Sequence, residues 1–155
     1  MTDPRHPADP APASVPREAA SPADRRQLEQ LRDALLHVHR TLLHAERGRY
    51  ERVHGEIPGN TAFLQLAIHH EWFAWLQPVT ATVVRIDART MSRRDPLQAR
   101  EVPGLLAEAA ALLRPDPEGT AYQRQYHEVL REVPSAAAEV RAVVSALGRD
   151  PASSA

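Results

Sequence analysis

A helical-period run of apolar residues in the first third of the chain constrains this sequence more than anything else in it. Each residue of an α-helix turns the chain by about 100°. On that wheel Leu28, Leu31, Leu35, Leu36, Val38, Leu42, Leu43, Ala45, Tyr50 and Val53 fall within one arc about half the circumference wide. A helix with such a face must lay it against a core. Ser21 supplies an N-cap and Pro22 a first helical residue, while Gly55 and Pro58 supply the stop. The pattern predicts one helix of roughly 45 Å ending near His54.

The rest of the chain reads as what packs against that face. A second helix is predicted from Asn60 or Thr61 to about Thr90, with Leu64, Ile68, Trp72, Trp75, Val79, Val83 and Ile86 as its inner stripe. Pro78 removes one backbone donor and predicts a kink there. Leu66, Phe73 and Val84 fall on the opposite side, covered either by another helix or by another copy of the protein. A third helix is expected over Pro103–Leu113. A fourth follows the Asp116–Thr120 break, with Tyr122, Tyr126, Val129 and Leu130 inward. Pro134 either kinks it or opens a further piece over Ser135–Leu147. The expected fold is all-α, a four-helix-bundle-like single domain over residues 23–148 with a kinked second helix and an interrupted last one. Residues 1–22 hold six prolines and little that is large and apolar, so they read as a disordered arm, and 149–155 as a polar tail.

Composition removes several chemistries. There is no cysteine, which excludes disulfides, thiolate catalysis and Cys-type metal sites and fits a reducing cytoplasm. All 19 basic residues are arginine, so Schiff-base and phosphate-loop lysines are unavailable. A formal net charge of -1 argues against a nucleic-acid partner. No apolar run approaches the roughly 18 residues of a membrane span, and the N-terminus shows no signal core. No serine stands in a nucleophile-elbow context and no glycine-rich phosphate loop occurs, so an enzyme is not the favoured reading.

Three groups of side chains carry the remaining chemistry. His39 and Glu46 lie near the centre of the apolar arc and Arg49 nearer its edge, beside Tyr50. Buried unpaired polar groups cost about 1–3 kcal/mol each, so these need partners. Glu46 and Arg49, three apart, can pair, and Tyr126, Tyr122 or His127 can supply others. The set is either a satisfied layer that fixes helix register or a ligand pocket walled by Trp72 and Trp75. Glu51-Arg52-Val53-His54 has the Glu-x-x-His spacing of dimetal bundles, but in one copy, which reads as a solvated i,i+3 pair in preference to a metal site. Neighbouring His69 and His70 point about 100° apart and do not converge on one ion. No cofactor is implied, and a bound metal stays open. The outward face with His37, Arg40, His44, Arg47 and Glu51 has the look of a solvated surface.

The runs His39-Arg40-x-Leu42-Leu43-x-Ala45-Glu46-Arg47-x-x-Tyr50-Glu51, His54-Gly55 and Phe73-Ala74-Trp75-Leu76-x-Pro78 resemble a group of small uncharacterised bacterial helical proteins. The resemblance covers roughly residues 28–130 and implies a discrete domain type without an activity. The expectation is a cytoplasmic, non-enzymatic bundle that works by association, as a homodimer through Leu66, Phe73 and Val84 or by binding another protein. The alternative is a small-ligand- or metal-binding bundle built on His39, Glu46, Arg49, Tyr50, Trp75 and Tyr126, with Glu51 and His54 as metal ligands.

Overall fold

The computed structural model describes residues 17–149, and among them six α-helices occur and no strand. They are α1 (Pro22–His54), α2 (Gly59–His69), α3 (Gln77–Met91), α4 (Val102–Leu112), α5 (Ala121–Glu132) and α6 (Pro134–Leu147), with 3-10 turns over Glu71–Leu76 and Ala99–Glu101. The fold is all-α and four-helix-bundle-like.

Helix α1 begins and ends where its sequence dictates. The Ser21 hydroxyl accepts the Asp24 N–H at 3.1 Å, and the Asp24 carboxylate accepts the Ser21 N–H at 3.0 Å. This reciprocal cap satisfies two donors that the first turn leaves open. At the other end Gly55 takes a φ of 90°, open to glycine without a Cβ penalty, and donates to the Glu51 carbonyl at 2.9 Å. Between the caps Leu28, Leu35, Val38 and Leu42 are fully buried. They meet Val79 and Ile86 of α3, Leu105 and Ala109 of α4, Tyr126 and Val129 of α5 and Val140 of α6. Each such side chain stabilises the fold by about 1.5–3 kcal/mol, and α1 is the spine that α3, α4, α5 and α6 share.

The second helix departs from expectation. It does not run to Thr90 with a kink at Pro78. It stops at His69, and the backbone turns extended at His70 (φ -84°, ψ 136°). The His70 imidazole then caps the following 3-10 turn, its Nδ1 accepting the Trp72 N–H at 3.0 Å. Pro78 sits in the first turn of α3, where its missing N–H matters least. The break resets the phase of everything before it. Leu64 and Ile68, expected inward, are 56% and 54% exposed, while Phe73, expected on the open side, is only 1% exposed. Phe73 packs with Ile57 and Phe63 in a second, smaller cluster, with Leu66 half-buried against it and Val84 exposed elsewhere. Leu66, Phe73 and Val84 therefore form no common outer strip. Helix α2 itself packs on the Glu71–Leu76 turn, and it reaches α1 through Phe63, whose ring lies 4.8 Å beneath the Arg47 guanidinium.

Pro134 ends one helix and opens another. Val133 before it is pushed out of the helical region (φ -122°, ψ 87°), as a residue preceding proline commonly is. The packed region also starts earlier than residue 22. Ala20 N–H donates to Leu97 O and Ala99 N–H to Glu18 O, both at 2.8 Å, and Ala20 and Leu97 are buried. Arg89 braces the same connection, gripping both Glu101 oxygens at 2.8 and 2.9 Å. Residues 1–16 of the expected arm and 150–155 of the tail lie outside the described residues. No helix among the described residues is long and apolar enough to cross a membrane.

Candidate functional site

The polar centre of α1 is built as a lock. Glu46 is 1% exposed and pairs with the Arg49 guanidinium one turn on. Arg49 also binds Glu132 at the end of α5, Nε to Oε2 at 2.8 Å. Burial works against the Arg49 charge, but the two carboxylates outweigh it and raise its pKa above the ordinary arginine value. The network ties the C-terminal part of α1 to α5 and leaves Arg49 no free fork for a ligand. His39, two turns earlier, is half-buried, and burial lowers its pKa, which favours the neutral ring.

The other residues expected around this centre go elsewhere. Tyr50 joins an aromatic cluster with its ring 4.4 Å from His54, 5.7 Å edge-on to Trp72 and 5.8 Å from Phe73. Trp75 stacks near Tyr122 at 5.6 Å, and Tyr122 near Tyr126 at 5.7 Å, forming a separate aromatic row under α5. Tyr122 donates its hydroxyl to Leu112 O at 2.9 Å. Tyr126 is fully buried, its hydroxyl has no partner among the described residues, and burial pushes its pKa up. The structure thus joins Glu46 and Arg49 but distributes His39, Tyr50, Trp75 and Tyr126 over different neighbourhoods.

Glu51 and His54 are also occupied separately. Glu51 Oε1 accepts Arg47 Nε–H at 3.1 Å and the Ile57 N–H at 3.2 Å, which fastens the chain leaving α1. Arg47, and then the Ile57 amide, hold its carboxyl below the usual range. His54 lies against Tyr50, with the His70 ring 6.4 Å away. His70 accepts through Nδ1, which leaves its proton on Nε2 and takes the lone pair a metal would need there. Among the described residues no three His, Cys, Asp or Glu side chains converge on a metal position.

The concave surface lies on the flank of α1 that faces α4 and α6. From Ala23 to His37 this flank is the floor of an open groove of about 1160 Å³. Leu31 and Ala34 line its base, Leu106 and Ala110 of α4 one wall, and Ala142 and Val143 of α6 the other. Arg26 and Arg149 stand at one end, His37 and Glu139 at the other. Past His37 and Glu139, which belong to both, a second cleft of about 490 Å³ continues along α1 to Arg52. Its lining is mixed, with Arg40, His44, Gly48 and Arg52 on α1 facing Ser135 and Ala136 at the start of α6. Thr41 donates to Glu139 at 2.9 Å where the two depressions meet. Arg40 and Arg52 form no ion pair with the described residues. The cleft uses His37, Arg40 and His44 from the helix face that periodicity assigns to solvent, and one helix's sequence carries no signal for how far apart its neighbours stand. No family model, no curated protein and no solved structure matches the chain.

Proposed function

We propose that this chain is a non-enzymatic binding bundle that holds an amphipathic helix of another protein in the groove between α4 and α6. The groove along α1 carries the reading. It spans Ala23–His37, about 21 Å of helix axis, or four turns. A helix about 10 Å across, sunk to half its depth over that length, displaces roughly 800 Å³, the same scale as the 1160 Å³ available. A single acyl chain is far thinner and leaves most of that space empty. The alanines that line it (Ala34, Ala110, Ala142 and Ala146) let a second backbone come close, and the leucines and valines supply apolar contact. Arg26 and Arg149 at one end favour the C-terminal end of the incoming helix, or acidic residues on it.

Residues 1–16 contain five prolines and, beyond Met1, nothing apolar larger than Val15, a composition without an amphipathic helical pattern.

In-cell crosslinking from photoreactive residues at Ala142 and Ala146, with Ala107 on the exposed side of α4 as control, tests the reading. The expected products are segments of another protein with apolar residues at i, i+3, i+4 and i+7, lost when Ala142→Arg and Ala146→Arg fill the groove. Crosslinks confined to residues 1–16, to a second copy, or absent altogether overturn it.

A further inference from the structure

The cleft that continues the groove has no role in that reading, and its shape and charge differ from those of the groove. The groove covers 15 positions of α1 (23–37) and the cleft 16 (37–52), yet the cleft holds about 490 Å³ against about 1160 Å³. Equal length at under half the volume means a channel too narrow for a helix. An extended chain is thinner, and six or seven residues of it cover the roughly 22 Å involved.

Both linings mix polar and apolar side chains, but the cleft sets two arginines against one carboxylate, whereas the groove sets Arg26 and Arg149 against Asp33 and Glu139. Arg40 and Arg52 mark the two ends of the α1 wall, with His44 between them and His37 at the junction. The one carboxylate in the lining, Glu139, is already bound by the Thr41 hydroxyl. Arg40 and Arg52, like most of the described arginines, form no ion pair among the described residues, and both line the cleft, whereas Arg32, Arg49 and Arg89 are each held by two carboxylates. Gly48 adds an independent observation. It sits inside a 33-residue helix with an ordinary helical backbone, where glycine is unfavourable, and a Cβ added there would meet nothing within 4 Å. Neither packing nor backbone conformation asks for glycine. The space it leaves opens into the cleft between Arg40 and Arg52, one turn before Arg52, where a passing chain gains room.

From this we infer that the partner segment is bipartite, with an amphipathic helix in the groove and an extended acidic stretch of six or seven residues in the cleft, its carboxylates on Arg40 and Arg52. The inference rests on the helix-binding reading, because the two depressions are continuous at His37 and Glu139.

The test selects binders from a displayed library of random 24-residue segments against the full chain, with counter-selection on the Ala142→Arg/Ala146→Arg chain. Groove-dependent binders are expected to carry Asp and Glu in a block flanking one end of the apolar register. Arg40→Gln with Arg52→Gln is expected to weaken them roughly three- to tenfold, more at low salt. Gly48→Leu, which fills the floor and leaves the charges unchanged, is expected to weaken them to a similar extent, and peptides cut back to the helical part should not respond to either change. Groove-dependent binders with no acidic block, or with affinity indifferent to Arg40, Arg52 and Gly48, overturn the bipartite partner and leave the groove reading standing. A selection that yields no groove-dependent binder overturns both.

Discussion

Arg49 and Arg52 stand three residues apart on one helix and meet opposite fates. Arg49 turns toward α5, its side chain is 16% exposed, and it is held between Glu46 and Glu132. Arg52 turns toward α6, is exposed, and lines an open cleft. The first region spends its charges on itself and joins two helices. The second keeps its charges outward beside the groove. Position on the helix wheel alone does not separate the two: what decides is whether a carboxylate of a neighbouring helix stands opposite, as Glu132 does for Arg49.

The largest expected effect tests the lock. Glu46→Ala removes the buried partner of Arg49 and leaves the guanidinium to Glu132 alone. A loss of about 2–3 kcal/mol in urea-induced unfolding is expected, and a loss below about 0.5 kcal/mol would make Glu46 an incidental pair. His70→Ala comes next, because it deletes the imidazole that caps the Glu71–Leu76 turn. It should cost about 1 kcal/mol, with His70→Asn recovering most of it if capping is the role.

On the binding side the sign reverses. Gly48→Ala places a methyl in open space on a helix and should raise stability by about 0.5–1 kcal/mol. A decrease would mean that Gly48 serves packing. The smallest effect concerns His39, whose folded-state pKa burial depresses below 6.5. As pH falls below that value the unfolded chain takes the proton first, so stability declines until the lower folded-state pKa is passed, and above 6.5 the term is constant. His39→Gln should flatten the profile of urea midpoints between about pH 7.5 and 5.5. An unchanged slope would assign the acid sensitivity to other groups.

Much of the fold is legible because local rules and tertiary packing agree. Ser21, Pro22 and Gly55 delimit α1, the Leu28–Leu42 register is buried, and the break at Pro134 follows from proline chemistry. The stretch between residues 60 and 78 misleads because periodicity assumes an unbroken helix. Once the chain turns at His70, the phase carried back from Val79 and Ile86 no longer applies, and Phe73 exchanges places with Leu64 and Ile68. Histidine is an uncommon cap, so its sequence context gives no warning. Glu46–Arg49 is legible from spacing, whereas the groove is not. It depends on the gap between α4 and α6 over α1, a relation among three helices that are not consecutive in the chain.

The way α2 is attached has a kinetic consequence. Four helices share the spine, so amides at the centre of α1 exchange with solvent only when the whole core opens. Helix α2 rests on the Glu71–Leu76 turn and meets the spine in the small cluster of Ile57, Phe63 and Phe73, against which Leu43 and Tyr50 of α1 pack. It can lift away while Leu35, Val38 and Leu42 stay covered. Hydrogen-exchange mass spectrometry should find peptides from residues 59–69 labelled well before those from 31–43. The molecule then has two clocks, a slow one set by its spine and a faster one set by the small cluster around Phe63.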